Sequence, residues 1–345
     1  MPTRPEWRLD PLTGRRVLIA PDRGERPIRA TVACPFCEGH EGETPPEVMA
    51  YRSSGSAPDG PGWRVRVVTN RYAAVRMDAE TPPPNPPPGS GEGGSGPDTF
   101  RLFGSPSPLR GGVWGEELSF PGVGVAEVFV ECPHHETAFR NLAHSQATDV
   151  LRIWRDRLRH WHDDGRLAFA QVFKNEGPAA GASIEHCHSQ LIGVPFLPPA
   201  IADELRHATA PCPFCRWIEV ERHGPRYVTE SDQFSVNCPT APRFPGEVWV
   251  LPKPHASSFE TIADGPLEKL AAVLLDLLRR VDRAFSGPDF NLIVRTAPFR
   301  YEGTFHWRIE LLPRTTTTAG WEWGTGLLIN TMFPEHAARL LRDAA

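Results

Sequence analysis

The stretch Gly181-Ala182-Ser183-Ile184-Glu185-His186-Cys187-His188-Ser189-Gln190-Leu191-Ile192-Gly193-Val194 sets a His-x-His-x-Gln pattern between a small-residue loop and an apolar, β-branched tail. Such a tail reads as a strand, and on a strand residues i, i+2 and i+4 share one face. His186, His188 and Gln190 would then stand in a row. Two imidazoles and a carboxamide in that order can hold a metal, attack a phosphorus, and donate a hydrogen bond to a phosphoryl oxygen. A pair of surface histidines on an edge strand is the plainer alternative. Three further groups of potential metal ligands, spaced to match, weigh against it.

The strongest of these signals is an internal repeat. Each half of the chain runs Cys-Pro-Phe-Cys, strand, histidine, helix, strand, loop, and a strand that opens with a histidine. His135 and His186 are 51 residues apart, and so are His255 and His306. The flanks Ala126-Glu127-Val128-Phe129-Val130 and Gly246-Glu247-Val248-Trp249-Val250 run in parallel. The distance from cysteine pair to first histidine differs, 101 residues against 43, and a Pro/Gly/Ser-rich segment at about 80–112 lies in the excess. That composition buries too little apolar surface to offset ordering entropy, so the segment is expected to be a mobile insertion. The expected fold is α+β, with two tandem units of antiparallel sheet and flanking helices. The first unit would cover 1–195 and hold the active motif; the second, 196–345, would be a degenerate copy.

Periodicity supplies the elements. Strands are expected at 16–20, 63–69, 126–131, 167–173, 246–252 and 291–295, with the central motif and the segment 304–313 as further strands. Helices are expected at 148–163, at 266–285 and from about 334. A short strand is expected after Gly320-Trp321-Glu322-Trp323-Gly324-Thr325-Gly326.

Seven cysteines, four of them in Cys-x-x-Cys pairs, resemble metal ligands more than a disulfide framework. Two cysteines and two histidines per half suit tetrahedral zinc: Cys34, Cys37, His135 and His186, then Cys212, Cys215, His255 and His306. Iron is an alternative in one of them, and Cys132, His134 and His40 are alternative ligands nearby. The second histidine of the motif is not repeated. Arg308 stands where His188 would be and Glu310 where Gln190 would be. His188 therefore has a task separate from the metal, and only the first half is expected to be active.

A neutral imidazole can attack phosphorus and carry the transferred group. Gln190, Ser183, Asn175 and the backbone near Gly181 can donate to phosphoryl oxygens, and Arg23 and Arg26 can neutralise a diphosphate. The net charge of −5 gives no case for a nucleic-acid surface. No apolar run approaches membrane-spanning length, and the N-terminus lacks a signal peptide's apolar core. A cytoplasmic enzyme is expected.

Ser183–Gln190 resembles the active-site signature of galactose-1-phosphate uridylyltransferases, a branch of the histidine-triad superfamily. Asp10-Pro11-Leu12-Thr13-Gly14, the first Cys-Pro-Phe-Cys, Asn175 to Gly181, Phe305-His306-Trp307 and Trp323–Gly326 match other family segments, so the resemblance covers nearly the whole chain. It implies two tandem histidine-triad-like units and ping-pong nucleotidyl transfer. His188 would take UMP from UDP-glucose, and galactose 1-phosphate would then accept it. Gln190 would bond the transferred phosphoryl group. Arg23, Arg26, Asn175, Gly181 and Ser183 would contact phosphate, and Asn70 would lie in the nucleoside pocket. The partners implied are a nucleoside diphosphate sugar, a sugar 1-phosphate and a second copy of the chain.

There are departures. Cys187 replaces the usual residue between the histidines, with its side chain expected on the opposite face. Arg71 stands where some members have Asp near the ribose. The C-terminal Trp-Gly-Thr-Gly segment lacks a Glu that some members use on the hexose. In these respects the chain resembles the branch with plant ADP-glucose phosphorylase, which passes the nucleotide to phosphate. A phosphorylase or hydrolase using the same histidine is thus the alternative activity, and a zinc-stabilised nucleotide-binding module without turnover the alternative class.

Overall fold

In the computed structural model of the chain, residues 4–10, 13, 15–25, 34–77 and 119–345 are described. The expected insertion at 80–112 and Arg26 lie outside the described residues, as do Pro11, Leu12 and Gly14.

In chain order the first half contributes strands β1 (Glu6–Leu9), β2 (Arg16–Ile19), β3 (Glu47–Arg52), β4 (Trp63–Thr69), β5 (Ser119–Pro121) and β6 (Val125–Val130), helix α1 (His144–Asp164), and strands β7 (Phe169–Glu176) and β8 (His188–Val194). The second contributes helices α2 (Pro199–His207) and α3 (Pro213–Glu221), strands β9 (Tyr227–Glu230), β10 (Phe234–Asn237) and β11 (Val248–Pro252), helix α4 (Asp264–Phe285), strands β12 (Phe290–Arg295) and β13 (Arg308–Pro313), and helices α5 (Gly320–Thr325) and α6 (Pro334–Asp343). The fold is α+β. Ten strands make one antiparallel sheet in the order β3-β4-β6-β8-β7-β12-β13-β11-β10-β9, and β2-β1-β5 form a smaller one.

The order of the large sheet contains the repeat. Five strands of each half run outward from the central β7–β12 pair, and β8 or β13, the strand that begins two residues after the cluster histidine His186 or His306, comes next. Phe173 faces Ile293, Asn175 faces Asn291 and Val172 faces Val294. Equivalent residues of the two halves lie 120 apart, as His186 and His306 do, so Phe173 is paired with its own counterpart. A pseudo-twofold axis therefore passes through that pair, and the halves share one sheet in the manner of an isologous interface.

One face of the sheet is covered by α1 and α4. In α1, Val150, Leu151, Trp154, Leu158 and Trp161 recur at helical spacing and are buried against Phe129, Val172 and Leu191. In α4, Leu267, Leu270, Leu274 and Leu277 do the same against Val250, Val294 and Leu311. Gly165 ends α1 in the left-handed conformation with φ 80°. Trp154 Nε1 donates to Ser189 Oγ at 2.7 Å, which fixes β8 to the helix layer through its core-facing residues.

Three expectations need correction. Strand β7 runs on through Lys174, Asn175 and Glu176, because these residues continue the ladder with β12. Gly320–Thr325 is a short helix, closed by Gly326 at φ 74°, and no strand follows it. The flanks of the repeat are displaced by one residue. Val128 faces Gln190, whereas Trp249, not Val248, faces Glu310. Cys132 comes four residues after Val128, but the equivalent Pro252 comes three after Trp249. The additional residue of the first half falls at Glu131. A strand's side chains alternate, so sequence likeness alone paired residues of opposite faces.

Candidate active site and metal clusters

Cys34, Cys37, His135 and His186 converge, with all four ligand atoms within 4.8 Å of one another, and Cys212, Cys215, His255 and His306 do likewise. Cys34 Sγ is 3.4 Å from His186 Nδ1, and Cys37 Sγ is 3.5 Å from His135 Nδ1. In the second cluster Cys215 Sγ is 3.4 Å from His255 Nδ1 and 3.6 Å from His306 Nδ1. Sulfur and nitrogen held tetrahedrally on one zinc would stand about 3.6 Å apart, given Zn–S and Zn–N bonds of about 2.3 and 2.05 Å. The donor sets fit that ion.

Electrostatics agrees. Burial, then the neighbouring Cys34, raises the Cys37 thiol to about 11; burial also raises Cys215 to about 11. Paired thiolates here call for a cation. Burial lowers His186 and His306 to about 4, so both stay neutral. His186 Nε2 donates to Cys132 O at 2.9 Å and His306 Nε2 to Pro252 O at 2.8 Å. Each bond turns the Nδ1 lone pair toward the cysteines. Of the alternative ligands, Cys132 supplies this carbonyl and His40 pairs with Glu43 at 2.9 Å.

His188 follows two residues later on the same face as Gln190. Both line a cleft of about 440 Å³, together with Phe36, Asn70, Arg71 and Ser183. His188 Nδ1 lies 2.7 Å from His186 O. A carbonyl oxygen only accepts, so Nδ1 carries the proton and the lone pair of the neutral ring sits on Nε2. The Phe36 ring meets the His188 ring edge-on at 5.4 Å. Asn70 Oδ1 accepts from Tyr72 N at 2.9 Å, which shapes the cleft's rim.

Three other candidates stand outside the cleft lining. Asn175 lies on β7. Phe173 faces Gln190 in the last pair the two strands form, and Asn175, two residues on, shares that face of the sheet beyond the end of the ladder. Gly181 ends a short turn with φ 87°, a conformation suited to glycine. Arg23 is in the single turn Pro21–Glu25, which Asp22 ties to Arg76 at 3.2 Å.

Beneath the row, on the core face, is a group that sequence reading missed. Lys174 is fully buried. Its Nζ donates to Glu131 Oε2 at 2.8 Å and to His188 O at 3.1 Å. Cys187 Sγ donates to the same Glu131 oxygen at 2.8 Å, so Cys187 does face away from the cleft. Burial alone would lower the Lys174 pKa, but the Glu131 carboxylate in contact with it outweighs burial and holds the amine charged. The signal available in the sequence was the alternation Ala170, Val172, Lys174, which carries the lysine onto the apolar face of the strand.

The equivalent region of the second half is filled. The Arg308 guanidinium lies over Trp249 at 4.7 Å and Phe214 at 4.8 Å. It also pairs with Glu204 and Glu310, each at 2.6 Å.

Residues 119–198 match the family model described as galactose-1-phosphate uridyl transferase, N-terminal domain. ADP-glucose phosphorylase of Arabidopsis thaliana is 28% identical over 364 residues, covering 99% of this chain and 93% of the relative. Galactose-1-phosphate uridylyltransferase of Thermotoga maritima is 27% identical over 358 residues, covering 98% of each. The crystal structure of the Arabidopsis ADP-glucose phosphorylase with bound ADP-glucose matches with a TM-score of 0.73 at 27% identity over 99% of both chains. A structure of uridylyltransferase shares the fold, with a TM-score of 0.76 at 24% identity over 98% of both. Sequence and fold together group this chain with the galactose-1-phosphate uridylyltransferases and ADP-glucose phosphorylase, along nearly its whole length.

Proposed function

We propose that the chain is a nucleotidyltransferase acting on a nucleoside diphosphate sugar through a covalent nucleotidyl-histidine. His188 Nε2 attacks the α-phosphorus. The N–P bond forms, the bond to the bridging oxygen breaks, and the sugar leaves as its 1-phosphate. A second phosphate compound then attacks the nucleotidyl-His188, restoring the neutral ring. The observation that carries this reading is the bond from His188 Nδ1 to His186 O. It fixes the tautomer with the nucleophilic lone pair on Nε2, and the same carbonyl stabilises the positive ring that forms on attack.

Gln190 and Ser183, both in the cleft, donate to the transferring phosphoryl group, with Asn175 and the amides at Gly181. Arg23 and Arg26 meet the diphosphate, and Asn70 the nucleoside. Zinc bound by the two Cys₂His₂ clusters is structural, with iron an alternative in one, because the protein fills four ligand positions in each. The first cluster anchors His186, whose carbonyl orients His188.

The leading substrates are UDP-glucose as donor and galactose 1-phosphate as acceptor, in line with the uridylyltransferase relatives. The second reading, ADP-glucose with phosphate as acceptor, is supported by the similarity to the Arabidopsis phosphorylase over 99% of this chain and by Arg71 at the cleft. A homodimer is the assembly we favour. It would cover an exposed apolar run comprising Trp321, Trp323, Leu327, Leu328, Ile329 and Phe333. Among the described residues no helix is long and apolar enough to cross a membrane.

The test is intact mass of the protein after brief incubation with UDP-glucose or ADP-glucose, denatured at mildly alkaline pH. A mononucleotide adduct that His188→Asn abolishes is expected, and the donor giving it names the base. An adduct that persists in His188→Asn would overturn the assignment.

A further inference from the structure

The turn that precedes the active motif is held by the other half of the chain. Gly177 has φ 84°, and a Cβ placed there would come 2.0 Å from Asp289 Oδ1. Asp289, just before β12, accepts from Ala179 N at 2.6 Å through its second oxygen. Asn291, on β12, donates from Nδ2 to Ala180 O at 2.9 Å and to Asn175 Oδ1 at 2.8 Å. These contacts cross the pseudo-twofold axis, from the half without the nucleophile to the half with it.

Their geometry settles an orientation. The Ala180 carbonyl can only accept, so the side of the Asn291 amide facing it is the nitrogen. That nitrogen also faces Asn175, so Asn175 must present its oxygen to β12 and its own amide nitrogen away from β12. Among the described residues the Asn175 nitrogen has no hydrogen-bond partner. Asn291 and Asn175 are directly paired, and Phe173, two residues before Asn175, is paired with Gln190. Asn291, Asn175, Gln190 and His188 thus share one face of three neighbouring strands. Without Asn291, the Asn175 amide is free to turn over and offer oxygen, which a phosphoryl group repels.

We infer that Asn291 is a positioning residue for nucleotidyl transfer: it locks Asn175 with its amide nitrogen toward the phosphoryl group that His188 attacks. This rests on the proposed function, in which Asn175 contacts that phosphoryl group. The second half, which lacks the nucleophile, supplies the orientation of a donor in the first. The opposing equivalent, Gln171, donates to the Val294 carbonyl at 2.7 Å and has no amide to orient, since Arg295 stands at the counterpart of Asn175.

The experiment is a mutant cycle on the rate of adduct formation at saturating UDP-glucose or ADP-glucose, whichever labels His188, read by quench and intact mass. Asn175→Ala is expected to slow the step about a hundredfold, as loss of an aimed donor does. Asn291→Ala is expected to slow it about tenfold through misplacement of that donor, with the melting temperature and the half-saturating donor concentration little changed. The double variant is expected to be no slower than Asn175→Ala. Asn291→Thr, which suits a strand and lacks the amide, serves if the alanine variant loses the fold. Additive effects, or a normal rate in the Asn291 variants beside a slow Asn175→Ala, would overturn the inference and leave the transfer reading intact. A normal rate in Asn175→Ala would overturn it too. An adduct that survives His188→Asn would instead remove the transfer reading itself.

Discussion

The two halves present the same Cys₂His₂ cluster just ahead of equivalent strands, and two residues after its last histidine they part. In the first half His188 and Gln190 border a cleft whose wall at that level is Val128. In the second, Arg308 is packed against Trp249 and Phe214 and paired with Glu204, and Glu310 is bonded to Arg308, Arg243 and Arg295. The core face differs as well. Lys174, Glu131 and Cys187 make a buried polar group under His188. The equivalents of Lys174 and Cys187 are Val294 and Trp307, both buried and apolar, and Glu131 has no equivalent at all. The Cys₂His₂ cluster therefore belongs to the folding unit. On the proposed function the chemistry belongs to the row that follows it, and one additional residue, Glu131 just past β6, accompanies the change.

The sharpest way to break this comparison is to remove one metal at a time. Structural zinc contributes folding free energy outright, on the order of 10 kcal/mol in small domains. Cys34→Ser and Cys212→Ser should each lower zinc content from two equivalents to one and destabilise the chain by about 5 kcal/mol or more. Only Cys34→Ser should also abolish adduct formation in protein that remains folded, since in the proposed function only His186 orients a nucleophile. Metal analysis beside the mass assay checks this. Equal loss of activity in both variants would mean that the second cluster also serves the chemistry.

Next in size is the buried polar group. Lys174→Met leaves Glu131 charged and unpaired in the core, at a cost of about 3–5 kcal/mol. Combining it with Glu131→Leu imitates the apolar second half and should recover most of that loss. Denaturant unfolding of the single and double variants measures the coupling. If the two effects simply add, the pair is not the interaction that matters there.

Much of this contrast was legible in the chain. The 51-residue spacing, the Cys-Pro-Phe-Cys pairs and the replacement of His188 by Arg308 fixed both clusters and the asymmetry, because metal ligands and strand periodicity impose strict intervals. The register was less legible. Glu127 and Glu247 look equivalent, but a one-residue insertion leaves no mark where both flanks are Glu followed by apolar residues. Short strands such as β9 and β10, four residues each, carry too few alternations to stand out. The contribution of Asn291 and Asp289 could not be read at all, since it depends on the pairing of β12 with β7 across 116 residues. Gly320–Thr325 misled for another reason: its tryptophans favour strands, but no strand is beside it to pair with.

The smallest expected effect concerns acid. Burial pushes the Glu310 carboxyl up, but Arg308, Arg243 and Arg295 outweigh it and hold it at about 2, against an ordinary 4.5. A depressed carboxylate stabilises the fold fully above its unfolded value and loses that contribution as pH falls through its folded value. The window is therefore from about pH 4.5 down to about 2, and the amount is on the order of 3 kcal/mol. Glu310→Gln should be less stable than the parent at neutral pH, and the difference should close across that window. Gln190, its counterpart, does not titrate, so Gln190→Ala should differ from the parent by an amount that stays flat over the same range. Acid unfolding of the three proteins decides it. A difference between Glu310→Gln and the parent that does not narrow below pH 4.5 would mean that the arginines are balanced by other carboxylates. The filled half would then owe its stability to the packing of Arg308 against Trp249 and Phe214 rather than to its charge on Glu310.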